Sequence, residues 1–266
     1  MSFSDTLTAA LGADVATTTP LQGGDLSQIE LVTLTDGRQM VAKRGPLVEV
    51  EGRVLAALQL LRAPVPAVLH LEQGLLCLQY LSPAPPSRQG WRDLGKALAQ
   101  LHSHDGAGYG WQEDYALGRV EIRNSTTPDW PTFWAERRLL ADISELPGDL
   151  AARVETLARR LPDLLPKEPR AAPLHGDLWI GNLHFSEDGA YLIDPACYHG
   201  HSEVDLAMLT LFGQPDDAFW RSYGTLDHGF DDRKPIYQLW PALVHLRLFG
   251  ESYRPMVSGL LHSLAV

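Results

Sequence analysis

Cysteine and lysine are both scarce in this chain, which has Cys77, Cys197 and only four lysines in 266 residues. Two thiols in apolar or turn-like contexts argue against a disulfide framework and are too few for a structural zinc site. They read as quiet residues of a reducing compartment. No apolar run reaches the roughly 18–20 residues of a bilayer crossing, because Arg62, Pro64 and Pro66 interrupt one stretch and Pro241 and His245 another. No basic side chain precedes Arg38, so neither a secretory signal nor an Arg-rich transit peptide is expected, and the cytoplasm is the default location. Basic residues are outnumbered 22 to 33 by acidic ones, a net charge of −11. That field repels DNA and RNA and argues against nucleic acid as a partner. It leaves a small phosphorylated ligand open, since a few cations, helix amino termini or a bound metal act locally.

What is present is the composition of a folded globular protein, 45% hydrophobic and 21% charged, with no repeat or low-complexity tract. The length suits one large domain or two lobes. Residues 27–34 and 39–43 alternate as strands around Thr35-Asp36-Gly37, a hairpin preceded by the pair Gly23-Gly24. Val54, Leu55, Leu58 and Leu61 recur at helical spacing within 48–61, until Arg62-Ala63-Pro64-Val65-Pro66 stops the pattern. Residues 67–71 and 75–80 flank Glu72-Gln73-Gly74 as a second hairpin. Ser82-Pro83-Ala84-Pro85-Pro86-Ser87 is then an extended break. Beyond it the spacing predicts helices over 91–102, 130–144 and 149–165, one short hairpin around Ser186-Glu187-Asp188-Gly189, and mostly helix from 202 onward. The chain thus divides into a β-rich lobe, residues 1–81, and a larger helical lobe, residues 82–266, with a cleft between them suited to a ligand.

The sharpest motif is Leu174-His175-Gly176-Asp177-Leu178-Trp179-Ile180-Gly181-Asn182, followed by the hairpin and then Ile193-Asp194-Pro195. Phosphoryl transfer from ATP needs a carboxylate beside the attacking hydroxyl and oxygen ligands that hold Mg²⁺ on the phosphates. An Asp, an Asn five residues later and a second Asp after a hairpin is the spacing of a kinase catalytic loop and its metal-binding Asp. Either fragment alone is an ordinary turn or strand end; their register across the hairpin makes Asp177, Asn182 and Asp194 a site. The phosphates also need a cation from the small lobe, and Lys43 ends the apolar strand Met40-Val41-Ala42. Glu51 on the following helix is its candidate ion-pair partner, with Glu49 as rival. Gly23 and Gly24 carry weight only as a close approach of backbone to phosphate.

These residues resemble the fructosamine-3-kinase, or ketosamine-3-kinase, family within the protein-kinase-like small-molecule phosphotransferases. The resemblance runs from Gly23-Gly24-Asp25 through Leu101-His102, Gly108-Tyr109-Gly110-Trp111 and the catalytic loop. It continues in Gly200-His201-Ser202-Glu203-Val204-Asp205-Leu206-Ala207-Met208 and ends with His245 and Leu248-Phe249-Gly250. It implies an α+β bilobal kinase fold and an ATP- and Mg²⁺-dependent enzyme that phosphorylates the 3-hydroxyl of a ketosamine, free or on a glycated lysine. Asp177 would be the base, Asn182 and Asp194 the Mg²⁺ ligands, and Lys43 paired with Glu51 the phosphate clamp. Gln79-Tyr80-Leu81 would present backbone to adenine, and Trp179 would wall the acceptor site, with lobe packing as its alternative role. Asp205 would buttress the loop, and His175 would be structural. Two departures stand out. Glu121-Ile122 replaces a common Pro-Gln, and Leu26-Ser27 stands where eukaryotic members often carry a cysteine, so no redox-linked dimer through that strand is expected. A monomer is simply the default. Another sugar, an aminoglycoside or an amino alcohol remains open as acceptor, as does a nucleotide-binding module without turnover. A protein-kinase role is disfavoured by the short run from Pro195 to His201.

Overall fold

A computed structural model describes residues 7–9, 11–21 and 27–266; Gly23 and Gly24 lie outside the described residues. The amino-terminal sheet is antiparallel and five-stranded. It comprises β1 (Val15–Pro20), β2 (Gln28–Leu34), β3 (Gln39–Arg44), β4 (Val68–Glu72) and β5 (Leu75–Gln79), in the order β1-β2-β3-β5-β4. The turn between β2 and β3 is closed by Asp36, whose carboxylate accepts the Arg38 backbone N–H at 3.0 Å, and by Gly37 at φ +86°. Period-2 alternation splits β3 between two cores. Met40 and Ala42 pack with Val32, Leu34, Leu75 and Cys77 on one face. Val41 and Lys43 share the other with Leu76 and Leu78, against helix α1 (Val48–Leu60).

β1 was not anticipated. Its Val-Ala-Thr-Thr-Thr-Pro run buries almost nothing, so no alternation marks it. The signal available was its β-branched composition, and Pro20 suits an edge strand that needs no further donor there.

The second half holds α2 (Arg88–His102), α3 (Trp130–Trp134), α4 (Gly148–Leu164), α5 (Glu203–Leu209), α6 (Asp217–Tyr223), α7 (Phe230–Phe249) and α8 (Arg254–Ser263). Ser87 caps α2 by accepting the Gly90 N–H at 3.0 Å, a contact whose loss costs about 1 kcal/mol. The helix expected over 130–144 is shorter. Asp129 caps it and Pro131 opens it, but after Trp134 the coil widens into a π turn over Ala135–Leu139 and stops. That turn carries Arg138, which is buried. Its guanidinium donates to Arg123 O at 2.6 Å and Asn124 Oδ1 at 2.9 Å and stacks 4.1 Å from the centre of the Tyr198 ring. Local periodicity cannot report such long-range partners.

Two large hydrophobic clusters divide the interior. One gathers Trp130, Phe133, Trp134, Tyr198, Tyr237 and Trp240 within the carboxy-terminal half. The other joins Leu55 and Leu58 of α1 and Leu78 of β5 to Trp91, Leu94 and Leu98 of α2 and to Phe185 and Phe219. At roughly 1.5–3 kcal/mol for each large apolar side chain buried, this second cluster ties the sheet to the helical half around one end of the cleft. Both cysteines are buried within the fold. No helix of the described residues is long and apolar enough to cross a membrane.

Candidate active site

The loop that carries Asp177 and Asn182 runs out of β8 (Ala172–Pro173), which pairs with β11 (His199–Gly200), and into hairpin strands β9 (Leu183–Ser186) and β10 (Gly189–Leu192). Its shape is dictated from below by Asp205, on α5 and fully buried. One Asp205 oxygen accepts the His175 backbone N–H at 2.7 Å and the other that of Gly176 at 2.9 Å. His102, at the end of α2, lies 3.1 Å from the same carboxylate and its other ring nitrogen 2.9 Å from the Tyr223 hydroxyl. Burial works to raise the pKa of Asp205, but His102, His175 and the Gly176 amide outweigh it and hold the carboxyl below its ordinary range. Gly176 has φ +83°, and a Cβ there would run into the Ala196 carbonyl, so no other residue suits the bend. His175 donates its Nε2 proton to Ile193 O at 2.9 Å, which pins the loop to the end of the hairpin.

Asp177 follows that bend. Asn182 Nδ2 donates to both its backbone oxygen, at 2.8 Å, and its Oδ2, at 2.9 Å. The Asn182 amide nitrogen is thereby committed to Asp177, and its Oδ1 is the atom left for a cation. Burial pushes the Asp177 carboxyl up to about 7; the Asn182 hydrogen bond opposes this, and the charges of Asp194 and Asp205 add to it. Asp194 adopts φ +54°, a conformation few non-glycine residues take. Such strain persists where the surroundings over-determine it, and here it brings one carboxylate oxygen onto Lys43.

Lys43 also donates to Glu51 at 2.6 Å. Burial works against its charge, but Glu51 and Asp194 more than compensate and hold its pKa above the ordinary lysine value. The structure therefore pairs Glu51, rather than Glu49, with Lys43. Two cavities meet at this pair. One, of about 320 Å³, is lined by Val41, Leu55, Leu78, Gln79, Tyr80 and Leu81 with Lys43 and Asp194 at its inner end. The second, of about 310 Å³, is lined by Tyr115, Asp177, Trp179, His245, Leu248 and Phe249. The charged groups facing the two together are Lys43, Glu51, Asp177 and Asp194. Three carboxylates against one ammonium are a donor set of hard oxygens with charge to spare for a divalent cation.

Trp179 is 36% exposed, and its ring packs over Gly181 and edge-on to Phe212, 6.0 Å between centres. Both partners lie in the carboxy-terminal half. Glu121 and Ile122 lie on β7 (Val120–Ile122), where Ile122 is buried and the exposed Glu121 binds Arg123; the second cavity is lined instead by β6 (Tyr115–Leu117) of the same hairpin. Sequence reasoning missed Tyr115 and Tyr223, and it quoted His245 and His102 without placing them, the first in the second cavity and the second with Tyr223 beneath Asp205. His102 and Asp205 stand 103 positions apart, so nothing local announces their contact.

The fructosamine kinase family model matches residues 3–265. A protein of Enterococcus faecium named as a ketoamine kinase is 35% identical over 92% of this chain and 94% of its own. A crystal structure from Thermobifida fusca named as a fructosamine-3-kinase superposes with a TM-score of 0.89 at 31% identity, covering 99% of this chain and 98% of that one. A macrolide 2'-phosphotransferase from Brachybacterium faecium shares the fold alone, with a TM-score of 0.63 and 19% identity over 96% of each chain. The small sheet, the large helical half and the cleft between them are the α+β architecture of the protein-kinase-like phosphotransferases, and the chain belongs to the fructosamine kinase family of ATP-dependent enzymes.

Proposed function

We propose that this enzyme transfers the γ-phosphoryl group of ATP to the 3-hydroxyl of a ketosamine, a sugar adduct of a free amine or of a protein lysine. The observation that carries the reading is the convergence of Asp177, Asn182, Asp194 and the Lys43–Glu51 pair where the two cavities meet. Adenine enters the apolar cavity against the backbone of Gln79, Tyr80 and Leu81, and Lys43 takes the phosphates between the lobes formed by residues 1–81 and 82–266. Asp194 and Asn182 Oδ1 hold Mg²⁺, which neutralises charge on the phosphates. Asp177 orients the acceptor hydroxyl and takes its proton as the O3–P bond forms and the bond to ADP breaks. Trp179 stacks on the sugar. Beyond the reacting end, the acceptor cavity is walled by Tyr115, Trp179, His245 and Phe249 with no carboxylate among them, which suits a sugar adduct carrying one amine better than an aminoglycoside carrying several. The enzyme works as a cytoplasmic monomer.

ATP turnover with Mg²⁺ is to be measured against a fructosamine, a ribulosamine, kanamycin, choline and no acceptor. Turnover confined to the two ketosamines is expected. Turnover on kanamycin or choline alone would remove the acceptor assignment and keep the phosphotransferase; none on any acceptor, with ATP still bound, would point to a silent nucleotide-binding module.

Lys43 is tested by a pair of variants. Lys43→Met leaves Glu51 buried without its cation and is expected to cost about 3–5 kcal/mol in urea unfolding. Lys43→Met/Glu51→Gln is expected to recover most of that stability. Neither recovers ATP affinity, which falls about 10- to 100-fold with the lost charge-assisted bonds. Normal ATP affinity in the double variant would remove Lys43 from the phosphate site.

A further inference from the structure

One wall of the acceptor cavity is built from rings around one histidine. His245 stands on α7, four residues after Pro241, and its Nδ1 lies 2.8 Å from the Pro241 carbonyl oxygen. A carbonyl only accepts, so Nδ1 carries the proton, and the neutral ring keeps its lone pair on Nε2. Burial lowers the pKa of this imidazole, with the Pro241 bond opposing, so the ring is neutral at neutral pH. Among the described residues nothing donates to Nε2. The ring lines the acceptor cavity together with Asp177, and it lines the narrow recess behind Asp177 and Gly176 as well.

Its surroundings are aromatic. Phe212, Tyr253 and Phe249 lie 4.6, 5.0 and 5.4 Å from His245 between ring centres, and Phe212 in turn meets Trp179. Trp179 and Phe249 stay 36% and 51% exposed on this wall. No charged side chain lines it; the charges facing the cavity are those of the reacting end, Lys43, Glu51, Asp177 and Asp194. A free imidazole lone pair among aromatic rings, in a cavity of net negative charge, offers an anion nothing and an alkylammonium both an acceptor and π-electron density.

We propose that Nε2 of His245 accepts an N–H of the acceptor's alkylammonium group, with the rings of Trp179 and Phe249 beside it. His245 thereby makes a protonated amine next to the sugar a condition of tight acceptor binding. The inference rests on the ketosamine reading above and adds the group that distinguishes such an acceptor from a bare sugar.

The test compares two acceptors that differ in one atom, N-butyl fructosamine and the 1-O-butyl ether of fructose, in which oxygen replaces the amine. Wild type is expected to favour the amine about 10- to 100-fold in kcat/KM, mostly through KM. In His245→Leu the amine's KM rises until the preference falls to about threefold or less, because the amine's kcat/KM falls far more than the ether's. His245→Gln, whose amide oxygen still accepts, restores part of the preference. Phe249→Leu, at an exposed position, keeps apolar bulk without the π face and lowers the preference severalfold; it serves should His245→Leu fail to fold. An unchanged preference in His245→Leu and Phe249→Leu, or an equal loss on both acceptors, overturns the proposal and leaves the ketosamine reading standing. Wild type that phosphorylates neither compound but does phosphorylate another acceptor removes that reading and this inference together.

Discussion

Asp177→Asn should lower kcat by about 10²–10⁴-fold, the usual contribution of a positioned base, with ATP affinity within about threefold of wild type. The substitution is isosteric, and the Asn182 amide keeps both acceptors it has on residue 177, so the loop has no cause to move. The same variant makes a second, opposite prediction for stability. With a folded-state pKa near 7 against an ordinary 3.8, ionising Asp177 costs stability that is intact in acid and lost as pH rises from about 4 through 7. Asn does not ionise. At pH 8, without nucleotide, the variant should melt at the wild-type temperature or above it, as checked by calorimetry beside the steady-state assay. A variant that keeps wild-type kcat removes Asp177 from the chemistry. One that melts well below wild type places the defect in folding instead.

Asp205→Ala should be among the most destabilising single changes in the chain. It strips a fully buried carboxylate from the His175 and Gly176 amides and from His102, leaving buried donors without their acceptor. Breaking such a buried charged network costs about 3–5 kcal/mol, or a fall in melting temperature on the order of 10 °C for a chain of this size. Asp205→Asn keeps one accepting oxygen but turns an amide N–H toward a donor, so it should recover only part of the loss. Activity in protein that remains folded should fall with it, because the two amides lost from Asp205 immediately precede Asp177. Urea unfolding at neutral pH separates the effects. A loss under about 1 kcal/mol would mean that the loop holds its shape from the Ala196 and Ile193 contacts alone.

Much of this was legible from residue order. Strands β2, β3, β4 and β5, helices α1, α2 and α4, and the β9–β10 hairpin all follow from local period and turn chemistry, because each carries a regular apolar pattern bounded by turn or cap residues. The edge strand β1 and the short helix at Trp130 did not follow: one buries too little to leave a pattern, and the other ends where a buried arginine finds partners elsewhere in the chain. Asp177, Asn182 and Asp194 could be named because a short loop and hairpin fix their spacing, and Lys43 because it ends a strand beside a helix that carries Glu51.

The linear order could not choose what holds these groups in place. The left-handed backbone of Asp194, the Asp205–His102–Tyr223 support beneath the loop and the tautomer of His245 each depend on residues brought together across many tens of positions, or on burial. Residue type and spacing set which chemistry the chain can carry, since that needs only the right groups at the right interval. Packing sets the charge, the direction and the free lone pairs of those groups, since each is a property of the neighbours that folding supplies.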